Sequence, residues 1–104
     1  SYTAIYPNSN FSDVYAYRSS FSMSEVLQDS DLINSEFRYS NLNYANLEDC
    51  DLTDSDFSYS WLHFADIDDA ITNNADFNNA EWYRTTCPDG TNSENNGNSC
   101  VNNL

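Results

Sequence analysis

Large apolar side chains recur at every fifth position between residues 30 and 84. When this stretch is divided into units of five from Ser30, the first residue of all eleven units is Ser, Ala or Cys, and the third is large and apolar in ten. These third residues are Leu32, Phe37, Leu42, Leu47, Leu52, Phe57, Leu62, Ile67, Phe77 and Trp82. A period of five fits neither the 3.6-residue period of a helix nor the two-residue period of a strand. The pattern therefore predicts a chain that bends once in every unit.

A chain that bends at regular corners winds into a solenoid, with the first and third residues of each unit pointing inward and the other three outward. Circuits stacked at strand spacing, ~4.8 Å, bury the apolar residues and pair their backbone groups. Phe37, Phe57 and Phe77 recur every twenty residues, so four units are expected to close one circuit. These three phenylalanines are predicted to form a core ladder.

Two parts of the repeat are less regular. Residues 4–26 keep the period loosely, and one extra residue near 27–30 is expected to bulge outward, so that columns continue there at a spacing of twenty-one. Thr72 occupies a third position, beside Ile71 at the usually polar second position. Either Ile71 turns inward or this unit is simply weak, and we favour the weak unit.

Units such as ANLED and ADFNN resemble the motif A(D/N)LXX of the pentapeptide repeat family over roughly residues 4–84. This resemblance implies an all-β fold, a right-handed quadrilateral β-helix of about four coils. The expected domains are a β-helix over residues 1–84 and a C-terminal cap over residues 85–104.

Beyond Arg84 the period is expected to stop, and Cys87 and Cys100 bracket a polar loop. A disulfide between them would hold this loop, stabilising it by ~3 kcal/mol in the loop-entropy model. Cys50, at a small inward position, is expected to be a buried thiol. Oxygen atoms alternate at Asp89, Thr91, Ser93 and Asn95 as in a calcium loop, but carboxylates are too few, so we predict a stapled cap and no metal site.

This last segment resembles the C-terminal tail of some exported cyanobacterial pentapeptide repeat proteins. The resemblance implies a location in the periplasm or the thylakoid lumen, and a disulfide also implies an oxidising compartment. The chain starts at Ser1 without Met, and the sequence leaves open whether a signal peptide was removed.

The chain is strongly acidic, with a formal net charge of −14. Columns of carboxylates are expected on its outer surface, and one candidate cation patch comprises Glu48, Asp49, Asp66, Asp68 and Asp69. A second column, Glu36, Asp56 and Asp76, is expected to be self-repelling. A solvated surface is the simpler interpretation of both, and a site for cations or a basic partner is the sharper one.

Aromatic residues cluster on another predicted face. The candidate partner surface comprises Tyr44, Trp61, His63, Phe64 and Tyr83, with Tyr39 and Tyr59 round the corner. Exposed aromatic residues in such density mark a partner surface or form ladders that steady the corners. Arg18 is predicted to stack on Tyr39, and Arg84 to lie under Phe64.

The sequence shows no catalytic constellation. His63 is the single histidine and has no nucleophile signature near it, and no zinc spacing or phosphate loop is present. We therefore expect a non-enzymatic structural or interaction module without cofactors, a monomer with an unknown protein partner and no membrane span. Its acidity disfavours binding to nucleic acid. As an alternative, the resemblance implies a DNA mimic acting on a topoisomerase such as gyrase.

Overall fold

The fold is a winding chain held by single-residue parallel β-bridges. The computed structural model describes residues 10, 12, 13, 15, 17 and 28–104. Within residues 31–86 every parallel bridge joins positions twenty apart, as in Asp31↔Asp51 and Asp51↔Ile71. Each circuit therefore contains four five-residue units, and neighbouring circuits pair their backbones directly.

The first circuit is one residue longer than the others. Asn10 bridges Asp31 and Tyr15 bridges Glu36, both at a spacing of twenty-one. This register is what one extra residue before Ser30 produces. The other N-terminal assignments, including the stacking of Arg18 on Tyr39, lie outside the described residues.

Each unit bends through a hydrogen-bonded turn. The first-position N–H of the next unit donates to the third-position carbonyl, at 3.0–3.2 Å from Ser35→Leu32 through Ala80→Phe77. The fifth-position residue between them has a positive φ of 49–66° in every unit from Asn34 to Arg84. A positive φ at this place is the mark of a type II turn. Tyr39, Tyr44, Tyr59 and Phe64 adopt it without the freedom of Gly, which costs each of them local strain.

Short acidic and amide side chains at the second position support these turns. In each case the side-chain Oδ1 accepts the fourth-position N–H at 2.9–3.1 Å, which is an Asx turn. The acceptors are Asp31, Asn41, Asn46, Asp51, Asp56, Asp66 and Asp76. The Asp and Asn side chains therefore accept a hydrogen bond from the fourth-position backbone N–H, which would otherwise lack an acceptor.

Two of the units without Asp or Asn at the second position satisfy the same donor differently. The His63 N–H donates to Oδ1 of Asn43, one circuit away, at 2.9 Å. The Tyr83 N–H donates to the hydroxyl of Thr85 at 3.3 Å. These substitutes allow the two units that carry the aromatic side chains discussed below to turn like their neighbours.

The core is a column of third-position side chains lined by small first-position residues. Phe37 lies on Phe57 and Phe57 on Phe77, with ring centroids 5.1 and 5.2 Å apart and nearly parallel planes. Buried first-position serines also find acceptors, since the hydroxyls of Ser55 and Ser60 donate to the carbonyls three residues earlier. Among the described residues, no buried side-chain nitrogen or oxygen lacks a hydrogen-bond partner.

The irregular unit at residues 70–74 keeps the outward orientation of its second position. The Ile71 side chain is 48% exposed, so it does not turn inward. Thr72 is only partly buried, and its hydroxyl donates to the Leu104 carbonyl at 3.3 Å. Cys50 is a buried free thiol, and burial raises its pKa to about 11.

The winding continues one unit beyond the predicted boundary at Arg84. Thr86 forms a parallel bridge with Asp66, and the Ile67 N–H donates to the Thr86 carbonyl at 3.0 Å. Thr85 and Cys87, the first and third residues of this unit, are both fully buried. The prediction that the period stops after Arg84 is therefore wrong, because a small residue such as Cys fills the third position at this end.

The rest of the C-terminal segment folds back on that unit. Asn92 forms an antiparallel bridge with Thr86, and a 3-10 helix spans Ser93–Asn96. A disulfide joins Cys87 and Cys100. No helix among the described residues has the length and apolar character needed to cross a bilayer.

Candidate interaction surface

The aromatic face lies on three stacked units, residues 40–44, 60–64 and 80–84, and comprises Tyr44, Trp61, His63, Phe64 and Tyr83. Tyr44 and Phe64 stack at a centroid distance of 4.8 Å with planes 5° apart. Tyr83 contacts Phe64 edge-on at 5.4 Å and His63 at 6.1 Å. The structure therefore brings all the predicted surface residues except Trp61 into one set of touching rings.

Trp61 joins this face through a carboxylate. Its indole N–H donates to Glu81 Oε2 at 3.0 Å, and Glu81 Oε1 lies 3.7 Å from His63 Nε2. The parallel bridge between Trp61 and Glu81 sets this contact, because it places the two side chains next to each other. Glu81 was not singled out from the sequence, although its spacing of twenty from Trp61 was a usable signal.

The aromatic face is open to solvent although its rings touch. The exposed fractions are 53% for Tyr44, 47% for Trp61, 40% for Phe64 and 41% for Tyr83. Stacking of exposed rings on a solenoid steadies its corners, but it does not remove this apolar area from water. Exposed aromatic area of this kind is enriched at protein interfaces.

A second exposed stack occupies the preceding corner. Tyr39 and Tyr59 lie 4.8 Å apart with planes 6° from parallel, and Tyr17 contacts Tyr39 edge-on at 5.7 Å. Tyr59 and Phe64 share the fifth position of consecutive units and nearly the same positive φ, 59° and 62°. The two stacks are therefore closely matched in construction.

Arginine side chains lie over tyrosine rings at both corners. The Arg84 Cζ is 5.5 Å from the centroid of Tyr83, and its Nε is 3.3 Å from Glu94. Arg84 had been predicted to lie under Phe64; the described contacts place it over Tyr83. Arg38 was not predicted to take part, yet its Cζ lies 5.6 Å from the centroid of Tyr17.

Arg38 also changes the electrostatics of the column formed by Glu36, Asp56 and Asp76. Its Nε is 2.7 Å from Glu36 and 3.6 Å from Asp56. The expected repulsion between these two carboxylates is therefore offset by a shared cation. Since both side chains are partly exposed, the gain is screened by solvent and small.

The candidate cation patch lies on the next face, with Glu48 and Asp49 on one circuit and Asp66, Asp68 and Asp69 on the following one. The charge of Asp66 is the main cause that raises the pKa of Glu48, whereas loss of hydration is the main cause that raises the pKa of Asp49. Asp66 is already the acceptor of an Asx turn, and Glu48 accepts from Gln28. No group of acidic, Cys or His side chains in the described part of the chain is arranged to hold a metal ion.

The oxygen atoms of the C-terminal loop are used inside the segment. Asp89 accepts from the N–H and hydroxyl of Thr91 and from Asn103, and these bonds, led by the Thr91 hydroxyl, lower its pKa. Ser93 is buried and its hydroxyl accepts the Thr85 N–H. This arrangement stabilises a turn, and it does not resemble an open calcium loop.

The repeated sequence units and the solenoid fold are both similar to those of known repeat proteins. Residues 30–63 match the family model for pentapeptide repeats, in eight copies. The solved structure of Rfr23, a pentapeptide repeat protein from the cyanobacterium Cyanothece 51142, matches with a TM-score of 0.50 and 16% identity over 83% of each chain. No curated protein matches the chain.

Two further solved structures show weaker likeness. HetL, a pentapeptide repeat protein involved in heterocyst differentiation regulation in Nostoc sp. strain PCC 7120, has a TM-score of 0.34 and 18% identity over 80% of this chain and 51% of its own. A pentapeptide repeat protein from the Arabidopsis thaliana thylakoid lumen has a TM-score of 0.24 and 14% identity over 75% of this chain and 61% of its own.

The bridges, the turns and the likeness to Rfr23 define a β-helical solenoid, and the fold of that neighbour implies a right-handed quadrilateral β-helix. Residues 30–63 are matched as pentapeptide repeats, so this part of the chain carries the repeat of that family.

Proposed function

We propose that this protein is a non-enzymatic interaction module that presents its aromatic face to a protein partner. In this proposal about four coils of β-helix form a rigid support, and the disulfide-linked C-terminal segment caps one end. The observation that carries the proposal is the group of touching yet exposed rings, because the fold does not need their outer surfaces in order to wind. Function on such a scaffold belongs to the surface that the repeats display.

We further infer an exported protein, in the periplasm or thylakoid lumen. The disulfide between Cys87 and Cys100 supports this location, because reducing compartments do not maintain such bonds. A fractionation experiment on cells that express the protein from its natural gene tests it: recovery of the oxidised protein in the cytosol would contradict export.

The interaction proposal is tested by comparing two double variants. Trp61→Ala with Phe64→Ala removes rings from the aromatic face, and Tyr39→Ala with Tyr59→Ala removes the matched stack at the preceding corner. Each immobilised protein is incubated with an oxidised extract of cyanobacterial periplasm and lumen, and bound proteins are compared with those of the unaltered chain.

We expect a protein bound by the unaltered chain to be lost from the first double variant and kept by the second. Circular dichroism and thermal unfolding of all three proteins must first show the same fold. Equal binding by both variants, or loss from both, would mean that the aromatic face does not determine the interaction.

A second candidate function is mimicry of duplex DNA toward a topoisomerase such as gyrase. The formal charge of −14 favours it, since a regular acidic surface presents the charge that such enzymes bind. The disulfide argues against it, since gyrase works in a reducing compartment. A supercoiling assay decides: inhibition or protection at micromolar protein supports mimicry, and no effect rejects it.

A further inference from the structure

The aromatic face and the face that carries the candidate cation patch, called the acidic face from here on, share an edge of the solenoid. The aromatic units 40–44 and 60–64 are followed directly along the chain by units 45–49 and 65–69, which hold the candidate cation patch. Phe64, at the corner, is therefore two residues from Asp66 and its charge. A ligand that covers this edge meets ring faces on one side and carboxylates on the other.

The two arginines that the structure describes show which chemical group suits such surroundings. Arg38 lies over Tyr17 and pairs with Glu36, and Arg84 lies over Tyr83 and pairs with Glu94. Each guanidinium thus lies over one ring and close to at least one carboxylate, since Arg38 also lies 3.6 Å from Asp56. A guanidinium stacks on aromatic faces and pairs with carboxylates through its planar donors, which an ammonium group does less well.

Rings and carboxylates of the same kind are in excess on the aromatic face. Trp61 and Tyr44 are each about half exposed, and Glu81 next to Trp61 has a side chain that is 62% exposed. The chain contains 17 acidic residues against 3 basic ones, so its own cations are too few to match these groups. The charge balance therefore favours a cationic occupant and disfavours a second copy of this chain.

We propose that the edge between the aromatic and acidic faces binds an arginine-rich, extended segment of a partner protein, with guanidinium groups stacked on Trp61 and on Tyr44, whose ring rests on Phe64, and paired with neighbouring carboxylates. This inference rests on the proposed interaction function and identifies its partner class. Carboxylate repulsion on the acidic face, visible in the raised pKa of Glu48, is relieved when such a segment binds.

The test uses the full oxidised chain and three synthetic peptides at 150 mM salt. The peptides share a Gly/Ser backbone and carry four arginines, four lysines or four glutamates. Binding is followed by NMR, because the two indole N–H signals report separately on exposed Trp61 and buried Trp82. Titration calorimetry gives the dissociation constants.

We expect the arginine peptide to bind, to shift the Trp61 signal and to leave the Trp82 signal nearly unchanged. The lysine peptide should bind about threefold or more weakly, and the glutamate peptide should not bind. Loss of the stacking ring of Trp61 and of the Phe64 ring that supports Tyr44, in Trp61→Ala/Phe64→Ala, should weaken arginine binding ~tenfold. Tyr39→Ala/Tyr59→Ala should change it less than about twofold, and Glu81→Gln should weaken it by about threefold.

Equal affinity for the arginine and lysine peptides, unchanged by loss of the rings, would overturn the proposal. The peptides would then bind only through the negative charge of the surface. Preference for the glutamate peptide, or for duplex DNA added in its place, would also overturn it. If partner capture depends on Trp61 and Phe64 while the arginine peptide does not bind, the interaction function stands and this occupant is wrong.

Discussion

The β-helix and the C-terminal segment are held together in different ways. In the β-helix every unit from residue 30 to residue 84 repeats the same bend, and most units also repeat the Asx contact and the inward pair of side chains, so each circuit supports the next. The segment after residue 89 has no repeat. It is held by one disulfide, one antiparallel bridge and side-chain bonds around Asp89.

Regular stacking stabilises the β-helix through many small and similar contributions, whereas the irregular end depends on a few specific contacts. Stability in solenoids is a sum of units and of interfaces between neighbours. A single change in the β-helix is therefore expected to act on the whole winding, and one in the C-terminal segment to act locally.

The largest effect is expected in the middle of the core ladder. Phe57→Ala removes a fully buried ring that contacts Phe37 and Phe77, and we expect a loss of ~3–5 kcal/mol in the free energy of unfolding. Urea denaturation measures it. Tyr59→Ala, in the same unit but on the surface, is the control and should cost ~1 kcal/mol or less. Similar losses for the two variants would mean that the column is not the main source of stability.

The disulfide is expected to act mainly on its own segment. Cys100→Ala removes a bond between cysteines with a sequence separation of 13, for which the loop-entropy model gives ~3 kcal/mol. Hydrogen exchange should show lost protection at Gly90, Ser93 and Asn103 while Leu52, Phe57 and Leu62 stay protected.

The free thiol provides the control for this experiment. Cys50→Ala introduces the residue that already occupies the first position at Ala45 and Ala65, so protection should be nearly unchanged. Loss of protection throughout the β-helix in Cys100→Ala would show instead that the two regions unfold as one.

Two matched Asx turns, one in each region, allow the regions to be compared through variants with smaller effects on stability. Asp51 and Asp89 each accept the N–H and hydroxyl of a threonine two residues later. Asp51→Ala should lower the free energy of unfolding by ~1 kcal/mol, because a backbone donor loses its acceptor, and Asp51→Asn should change it little. Asp89→Ala should instead increase hydrogen exchange only within residues 89–103. A global loss from Asp89→Ala would contradict this division.

The smallest effects concern pH and salt, and they differ in sign between the regions. The pKa of Asp89 is lowered in the folded protein, so its contribution is present above the ordinary carboxyl pKa of ~4 and is lost as the pH falls through the lower folded value. The pKa values of Glu48 and Asp49 are raised, so their ionisation destabilises the fold at neutral pH and acidification relieves it.

We therefore expect higher protection factors, which are exchange rates corrected for their intrinsic pH dependence, near residues 48 and 49 as the pH falls from 7 towards ~5, while protection at the Asp89 turn is lost only below ~4. Added salt should raise the melting temperature, since it screens the acidic columns. A melting temperature indifferent to both salt and millimolar calcium would remove support for the cation patch.

The sequence was informative where its period was strict. The twenty-residue spacing alone assigns Phe37, Phe57 and Phe77 to one stack, and the polar character of second positions favours an outward Ile71. The continuation through Cys87 was missed, because the criterion of a large third residue fails where the winding ends and a small side chain is sufficient. Thr85 at the first position was the available signal.

The surface was harder to predict than the core. Spacing placed Tyr44 next to Phe64, but it did not indicate which ring Arg84 would cover, because a long side chain has several reachable partners. Arg38 was missed for the same reason. The Asx role of the second position needs the turn geometry, which no spacing of residue types supplies.

The interchange of Asp and Asn at the second position separates folding from electrostatics. Both side chains offer the same acceptor oxygen to the turn, yet only one carries a charge, and between residues 31 and 76 this chain uses Asp at five of the seven Asx positions and Asn at two. The isoelectric point of such a solenoid is therefore adjustable unit by unit at almost constant backbone geometry. The fold of this protein therefore permits its strong acidity but does not depend on it.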